Sequence, residues 1–249
     1  MTKYIALFGF ALLGSLGFST LSNIGQAKDI EAIQQSNTPI VLEMFTSQSC
    51  SSCPPADRLL GTLEASNDNI IALSCNVTYW NHLHWEDTLS KDFCDIRQRQ
   101  YVGALTSRGP YTPQIFVNGG FTGVGSRPNV IEKAIEKTHS ITPIHISSQE
   151  KNLKITLPAL AQGDYNILLM PYGHSHWQDI PSGENKGRNV DYTNPILDII
   201  DLGLWQGEER SFHYNIAKLG DNLKGVAVLV HEKHQVGLIR AAGKIENFD

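Results

Sequence analysis

Short runs of hydrophobic residues, separated by polar turns, define the first half of the chain. Residues 39–45 and 69–75 are apolar and rich in β-branched side chains, which predicts two buried strands. Between them, residues 54–65 place leucines at helical spacing after two prolines, and proline is well tolerated in the first turn of a helix. We therefore expect a strand, a helix and a second strand in that order.

The next segment continues this alternation of helices and strands. Apolar residues at helical spacing predict a second helix, which Asp87 or Thr88 can cap. The dipeptide Asn118-Gly119 lies between two short apolar runs and strongly indicates a β-hairpin. Residues 129–138 again have helical spacing and predict a third helix. This half is expected to form a small layered α/β unit.

The pattern changes after residue 140, where apolar and polar residues alternate more often with period two. This alternation predicts a half that is mostly β, and the strand candidates include residues 165–170, 225–231 and 236–241. We predict two domains in the mature chain, an α/β domain over residues 28–140 and a β-rich domain over residues 141–249.

The N-terminus has the three parts of a secretory signal peptide. Lys3 precedes an apolar run over residues 5–18, and Gly25 and Ala27 provide small residues before the expected cleavage site. The run is shorter than the roughly 20 residues of a membrane-spanning helix. We predict a signal peptide over residues 1–27, and hence a periplasmic or secreted protein with no stable membrane span. The alternative is a buried N-terminal helix.

Composition and charge narrow the choice of partners. The 249 residues are 41% hydrophobic and 18% charged, which is typical of a globular protein. Twenty Lys and Arg against 25 Asp and Glu give a net charge of −5, so the chain lacks the basic excess that binding to a phosphate backbone requires. Nucleic acid is therefore not an expected partner.

Residues 50–53, Cys-Ser-Ser-Cys, form a C-x-x-C motif after a predicted strand and before a predicted helix. This spacing brings two sulfurs close enough to form a disulfide, and a nearby helix N-terminus stabilises a thiolate. The motif favours thiol–disulfide exchange, with Cys50 as the more accessible attacking thiol and Cys53 as the resolving thiol. The alternatives are a structural disulfide and half of a metal site, since a structural zinc needs four ligands.

The remaining cysteines, Cys75 and Cys94, are natural partners because the C-x-x-C pair is local. We predict a structural Cys75–Cys94 bridge. Two free buried thiols, or a pair that relays electrons to Cys50 and Cys53, are the alternatives.

The order strand, C-x-x-C, helix and later Thr112-Pro113 before a strand resembles the thioredoxin fold. The resemblance implies that Thr112-Pro113 is a cis bond that docks an extended substrate, whereas a trans proline would merely open a strand. Glu43 matches the buried acid that relays the proton of the second cysteine in thioredoxins. An unpaired buried carboxylate would have a raised pKa. The alternative is a glutamate at a strand edge that reaches solvent.

Longer motifs point to one particular family of thioredoxin-like proteins. Residues 42–57, which contain F-T-S-Q-S-C-S-S-C-P-P-A-D, together with Tyr79-Trp80 and residues 111–114 and 183–188, are similar to an exported bacterial thioredoxin-like family known only as a domain of unknown function. The resemblance implies an α/β fold class, a thioredoxin-like domain with a β-rich C-terminal extension, and no established substrate. Residues 183–188, with two glycines and mixed charge, predict either a solvated turn or a border of the redox site.

These observations together predict an exported thioredoxin-like thiol–disulfide oxidoreductase that needs no cofactor beyond its own dithiol. Its partners are a protein thiol or disulfide substrate and a redox partner. The alternative is a non-enzymatic binding or copper-carrier module that uses Cys50 and Cys53 as ligands. Two histidine pairs are candidate additional ligands for such a site: His82 with His84, and His174 with His176.

Overall fold

Fourteen strands and three α-helices form the part of the chain that the structure describes. The structure is a computed structural model and describes residues 38–106, 108–220, 222–233, 236–246 and 248. The predicted signal peptide lies outside these residues. In the described part, no helix combines the length and the apolar character that crossing a membrane requires.

The N-terminal half builds a four-stranded sheet with three helices. Its elements are β1 (Ile40–Thr46), α1 (Pro54–Ser66), β2 (Ile70–Asn76), α2 (Asp92–Leu105), β3 (Gln114–Val117), β4 (Phe121–Val124) and α3 (Pro128–Lys137). The strand order is β2-β1-β3-β4, with β1 parallel to β2 and antiparallel to β3. These elements were predicted to within a few residues, except that α2 is capped at Lys91 rather than at Asp87 or Thr88.

The C-terminal half consists almost entirely of strands. They are β5 (Thr142–Pro143), β6 (His145–Gln149), β7 (Asn152–Leu157), β8 (Tyr165–Gly173), β9 (His176–Asp179), β10 (Asn189–Tyr192), β11 (Ile200–Trp205), β12 (Arg210–Asn215), β13 (Leu223–Glu232) and β14 (Ile239–Glu246). They form a five-stranded sheet in the order β11-β8-β13-β14-β5, a three-stranded sheet in the order β12-β7-β6, and the β9–β10 pair.

Side chains along β1 point alternately to the two faces of the four-stranded sheet, and both faces are hydrophobic. Leu42 and Met44 face a core that contains α1 and α3 residues such as Leu60 and Ile131. Val41 and Phe45 face the opposite way, into a second core. The side chain of Glu43 alternates with these two residues, so it lies on the face away from α1.

The second core contains residues from both halves of the chain. Tyr101 of α2 and Phe116 of β3 pack there together with Leu168 and Met170 of β8. The opposite face of the five-stranded sheet, which includes Ile167, packs against the three-stranded sheet in a third core. The five-stranded sheet is thus covered on both faces. The predicted domain boundary at residue 140 stays a prediction.

The predicted fold class, an α/β thioredoxin-like domain with a β-rich C-terminal extension, is wrong. The described residues are β-rich and form several separate sheets with only three α-helices. The prediction gave too much weight to the three periodic helices and missed short strands such as β9 and β10. These strands are four residues long, alternate between half-buried or buried and exposed positions, and contain many polar residues, so their periodicity is a weak signal.

Candidate functional site

The C-x-x-C motif lies in a turn between β1 and α1, and its two cysteines form a disulfide with their Cα atoms 5.4 Å apart. The turn is closed by a hydrogen bond from the Cys53 amide to the Cys50 carbonyl, at 3.1 Å. Cys50 is 5% exposed and Cys53 is fully buried, whereas Ser51 and Ser52 between them are exposed. Cys50 is therefore the more accessible cysteine, in the order that the sequence predicted.

Helix α1 begins directly after the motif. Cys53 is the N-cap, and Pro54 and Pro55 occupy the first two helical positions, where the missing N–H groups cost least. The amides of Ala56 and Asp57 both donate to the Cys53 carbonyl. Cys50 lies three residues before the cap, so the helix dipole acts on its sulfur from outside the first turn.

Residues 77–91, the segment between β2 and α2, form hydrogen bonds with the two residues that precede Cys50. The Gln48 amide donates to the Asp87 carboxylate at 2.7 Å, and the Trp85 indole donates to the Gln48 side chain at 2.8 Å. The Ser49 hydroxyl donates to the Trp85 carbonyl. These contacts fix the two residues immediately before Cys50.

The C-terminal half also reaches the cysteines, through residues 176–192, which we call the β9–β10 arm. The Asn185 side-chain amide donates to the carbonyl oxygens of Gln48 and Cys50, both at 2.8 Å. Arg188 donates to the Ser51 carbonyl at 3.1 Å and to Asn185 Oδ1 at 2.9 Å. Residues 183–188 thus form a largely exposed turn, and two of them, Asn185 and Arg188, also border the cysteine turn.

Gly183 is required by the path of this arm. Its φ is +75°, a conformation that L side chains rarely adopt, and a Cβ there would lie 3.0 Å from the Leu83 carbonyl oxygen. The glycine thus lets the arm approach residues 77–91 closely enough for Asn185 to reach the cysteine turn.

The Thr112–Pro113 bond is cis, as predicted. Thr112 is half-buried, and its hydroxyl accepts a hydrogen bond from the Trp80 indole at 2.8 Å. The Pro113 carbonyl accepts from Gly125, and a Cβ on Gly125 would lie 3.3 Å from the Ala56 side chain in the first turn of α1. These contacts connect Pro113 to the turn that follows Cys53. The substrate-docking role of Thr112 and Pro113 stays a prediction.

Glu43 is buried in an ion pair rather than unpaired. Arg97 Nε lies 2.6 Å from Glu43 Oε2, and the Tyr101 hydroxyl donates to Oε1. Arg97 also donates to Nε2 of the buried His231 in β13. Burial opposes the charge on Glu43, but the Arg97 guanidinium outweighs it and the pKa of Glu43 is lowered. The expected rise in this pKa is wrong, and so is the alternative of a solvent-exposed side chain. The relay role of Glu43 stays a prediction.

A second buried acid, Asp57, lies one helical turn after Cys53. It is 2% exposed, and within the described residues neither of its carboxyl oxygens has a hydrogen-bond partner. Burial raises the pKa of Asp57 to about 8, the nearby Asp87 carboxylate adds to the rise, and Thr46 and Arg58 act in the opposite direction. A buried acid whose pKa is strongly shifted is a candidate functional residue.

The predicted Cys75–Cys94 disulfide is present, with the Cα atoms 5.4 Å apart. It joins the end of β2 to the first turn of α2, and both cysteines are buried. With two disulfides, the described part of the chain contains no free cysteine.

The copper-carrier alternative finds no ligand set in the described residues, which bring no three His, Cys, Asp or Glu side chains together in a way that could hold a metal ion. His82 donates to the Tyr79 carbonyl, and His176 is bonded to Gln178. One histidine of each pair therefore makes a local contact.

The family "Protein of unknown function (DUF1223)" matches residues 41–231. The chain belongs to this family. Membership of DUF1223 confirms the resemblance to a family of unknown function, and it carries no statement about thioredoxin-like ancestry.

A crystal structure of a protein from Agrobacterium tumefaciens is similar to this DUF1223 chain. The two share 26% sequence identity with a TM-score of 0.74, and the match covers 85% of this chain and 96% of that chain. Among curated proteins, none matches.

Sequence reasoning missed several polar residues of the site. Asn185 belongs to the motif of residues 183–188, for which the sequence left open a solvated turn or a border of the site. Nothing in the sequence indicates that Asn185 contacts Cys50. Asp57 did have a signal: it is a charged residue on the α1 face that also carries Ala56 and Leu60, both of which are buried. A charge on an otherwise apolar helix face is the pattern that identifies it.

Proposed function

We propose that this protein is an exported thiol–disulfide oxidoreductase with Cys50 and Cys53 as its redox pair. The observation that carries the proposal is the Cys50–Cys53 disulfide itself, which lies just before α1 and encloses the two exposed residues Ser51 and Ser52. The turn is held from outside by Asn185 and Arg188, so it keeps its shape while its bond opens and closes.

The exchange proceeds in two balanced steps. The Cys50 thiolate attacks one sulfur of a substrate disulfide, forming a mixed disulfide and releasing the other substrate sulfur as a thiolate. The Cys53 thiolate then attacks Cys50, closing the Cys50–Cys53 bond and releasing the second substrate sulfur. The protein loses two electrons and the substrate gains them. In reverse, the same steps oxidise a substrate dithiol.

We assign substrate docking to Thr112 and Pro113. Thr112 is half-exposed beside the buried proline, and its hydroxyl is fixed by Trp80. An accessible backbone segment that is held by a hydrogen bond suits pairing with an extended peptide that carries the substrate cysteine.

Export is supported by the two disulfides, because such bonds persist in oxidising compartments and are rare in the cytosol. Mass analysis of secreted material is expected to find a chain that begins near Lys28. Recovery of only the full-length chain from the cytosol would contradict export.

The reduction potential of Cys50–Cys53 tests the function. We expect a value above about −300 mV, since structural disulfides lie below it. In a Cys53→Ser variant, Cys50 should trap substrates as mixed disulfides, and a Cys50→Ser variant is the matched control that traps none through this pair. A potential below about −300 mV, with no trapped species, would show that the bridge is structural.

A further inference from the structure

Asp57 is placed to share a proton with Cys53. Its backbone amide donates to the Cys53 carbonyl at 3.1 Å, so the two residues are one turn apart at the start of α1. Residues four apart lie on the same helix face, and helical side chains lean toward the N-terminus. The Asp57 carboxyl therefore extends back toward the turn that contains Cys53. Both residues are buried.

Buried polar atoms without partners surround this carboxyl. The hydroxyls of Thr46, at the end of β1, and Tyr192, at the end of β10, both interact with Asp57, and Thr46 does so as a hydrogen-bonding neighbour that lowers its pKa. By distance and angle, neither these hydroxyls nor the Asp57 oxygens complete a hydrogen bond within the described residues. Buried polar groups are nearly always bonded in native proteins, so a group of unbonded atoms in one place requires an explanation. A proton carrier that must gain and lose a hydrogen explains it.

A groove connects Asp57 to solvent. It has a volume of about 720 Å³, runs between α1 and the β9–β10 arm, and is lined by residues that include Asp57, Arg58, Trp177 and Asp191. We call it the α1–arm groove. Asp57 is therefore almost fully covered and still borders a space that solvent reaches.

We propose that Asp57 accepts the proton of the Cys53 thiol during thiol–disulfide exchange and exchanges it with solvent through the α1–arm groove. This inference rests on the proposed oxidoreductase function and names the group that completes its second step.

In the mixed disulfide, Cys53 is a thiol. Asp57 first loses its own proton to solvent, and the Cys53 proton then passes to the resulting carboxylate. The Cys53 thiolate attacks the Cys50 sulfur, the new Cys50–Cys53 bond forms, and the bond from Cys50 to the substrate sulfur breaks. The substrate leaves as a thiolate with the bonding electron pair. Asp57, now a carboxylic acid, releases its proton to solvent through the groove.

The electrostatics agree with this geometry. Burial raises the pKa of Asp57 to about 8, close to the ordinary thiol value of about 8.5, and proton transfer between matched groups is efficient. The facing groups are the Asp87 carboxyl, the Tyr192 hydroxyl, Arg58 on α1 itself, and Asp191 and Glu64 along the groove.

Glu43 is less suited than Asp57 to accept the proton of Cys53. It lies on the face of β1 away from α1, and Arg97 keeps it as a carboxylate with a lowered pKa. A carboxylate with a lowered pKa is a weak base for a thiol.

The test follows both exchange steps with one probe, 5,5′-dithiobis(2-nitrobenzoate). Protein reduced to two free thiols per chain should release one thionitrobenzoate as Cys50 reacts and a second as Cys53 resolves the mixed disulfide. We expect Asp57→Asn to leave the first release within about twofold and to slow the second at least about tenfold at pH 7. The pH midpoint of the second release should move upward. The matched control, Asp68→Asn, changes an exposed carboxylate just beyond α1 and should leave both releases unchanged.

The outcomes separate the two proposals. If the wild-type protein gives no second release, both the exchange function and the role of Asp57 are overturned. If it gives two releases and Asp57→Asn follows the same time course and pH profile, only the role of Asp57 is overturned.

A second measurement needs no variant. A carbon-13 NMR titration of the Asp57 carboxyl should give different pKa values in the oxidised and reduced wild-type protein, because the carboxyl and the Cys53 thiol share a proton. Equal values in the two redox states would overturn the proposal.

Discussion

At the scale of single residues, the site depends on side chains that hold main-chain carbonyl groups in place. Asn185 binds the carbonyl oxygens of Gln48 and Cys50 although it lies 135 positions from Cys50 in the sequence. Its amide is buried, and its own oxygen accepts from Arg188. One side chain thus ties the cysteine turn to the β9–β10 arm.

Replacement of Asn185 by alanine should therefore destabilise the protein. The Gln48 carbonyl loses the Asn185 donor and the Cys50 carbonyl keeps only the Cys53 amide, and an unsatisfied buried polar group costs about 1–3 kcal/mol. The free energy of unfolding, measured by urea denaturation, is expected to fall by at least that amount. Lys186→Ala, which changes an exposed neighbour, serves as the control. Equal loss in both variants would contradict a specific role for the Asn185 amide.

His231 gives the protein a distinct acid sensitivity. Burial, and then the neighbouring Arg97 guanidinium, lower the pKa of His231 to about 3 from an ordinary value near 6.5. Between these values the unfolded chain binds a proton that the folded chain does not. The stability contributed by neutral His231 is complete above pH 6.5 and is lost as the pH falls toward 3.

A His231→Gln variant should remove this part of the pH dependence. One proton difference changes the free energy of unfolding by about 1.4 kcal/mol per pH unit. Urea denaturation between pH 6.5 and 4 should show a steeper loss in the wild-type protein than in the variant by about that slope. His82→Gln, at an exposed histidine, should keep the wild-type slope. Parallel curves for wild type and His231→Gln would rule the mechanism out.

At the scale of elements, the Cys75–Cys94 disulfide fixes the segment that borders the Cys50–Cys53 turn. The bridge spans 19 positions between β2 and α2, and residues 77–91 lie inside that loop. The same segment provides Asp87 and Trp85, which hold Gln48. The second disulfide therefore stabilises the surroundings of the first.

Removal of this bridge by the double substitution Cys75→Ala and Cys94→Ala should cost about 3 kcal/mol of stability on the chain-entropy model. In the wild-type protein, peptide mapping should find Cys75–Cys94 intact at a dithiothreitol dose that opens Cys50–Cys53, because Cys75 and Cys94 lie in the hydrophobic core. Mixed pairings such as Cys53–Cys75 would instead show electron relay between the pairs.

Elements with strong periodicity could be predicted from the sequence, and the others could not. The apolar runs of β1 and β2 and the helix after Pro54 gave clear signals, and the Asn118-Gly119 turn has positive φ at both residues, as a two-residue hairpin requires. β9 and β10 gave none, because their stability comes from pairing with each other and from contacts with residues distant in sequence.

Of the candidate site, too, the sequence predicts the local motifs but not the long-range contacts. The Cys50–Cys53 pair follows from a local motif, which a sequence shows directly, and the cis Thr112–Pro113 bond was implied by the resemblance to thioredoxins. The pairing of Glu43 with Arg97 and the contact of Asn185 with Cys50 join residues more than 50 positions apart. Such contacts depend on the packing of whole elements, so neither spacing nor composition indicates them.

At the scale of the whole molecule, the two halves share one hydrophobic core. Phe45 and Tyr101 from the N-terminal half pack with Leu168, Met170 and other residues of the five-stranded sheet. The polar contacts cross the same boundary, since Arg97 is bonded to His231. The fold that positions Cys50 therefore depends on strands far along the chain.

A fragment that ends at residue 140 should consequently fail to fold on its own. Removing the five-stranded sheet would expose the apolar face that carries Phe45 and Phe116, and it would leave Arg97 and Glu43 without their cover. A fragment of residues 38–140 is expected to show no cooperative urea transition, weak near-ultraviolet circular dichroism and aggregation, whereas residues 38–249 should unfold in one transition. The near-ultraviolet signal is the sensitive readout, because Phe45, Tyr101 and Phe116 lie in ring contact within the shared core. Cooperative unfolding of the fragment with these rings in a fixed environment would instead establish residues 28–140 as an independent domain.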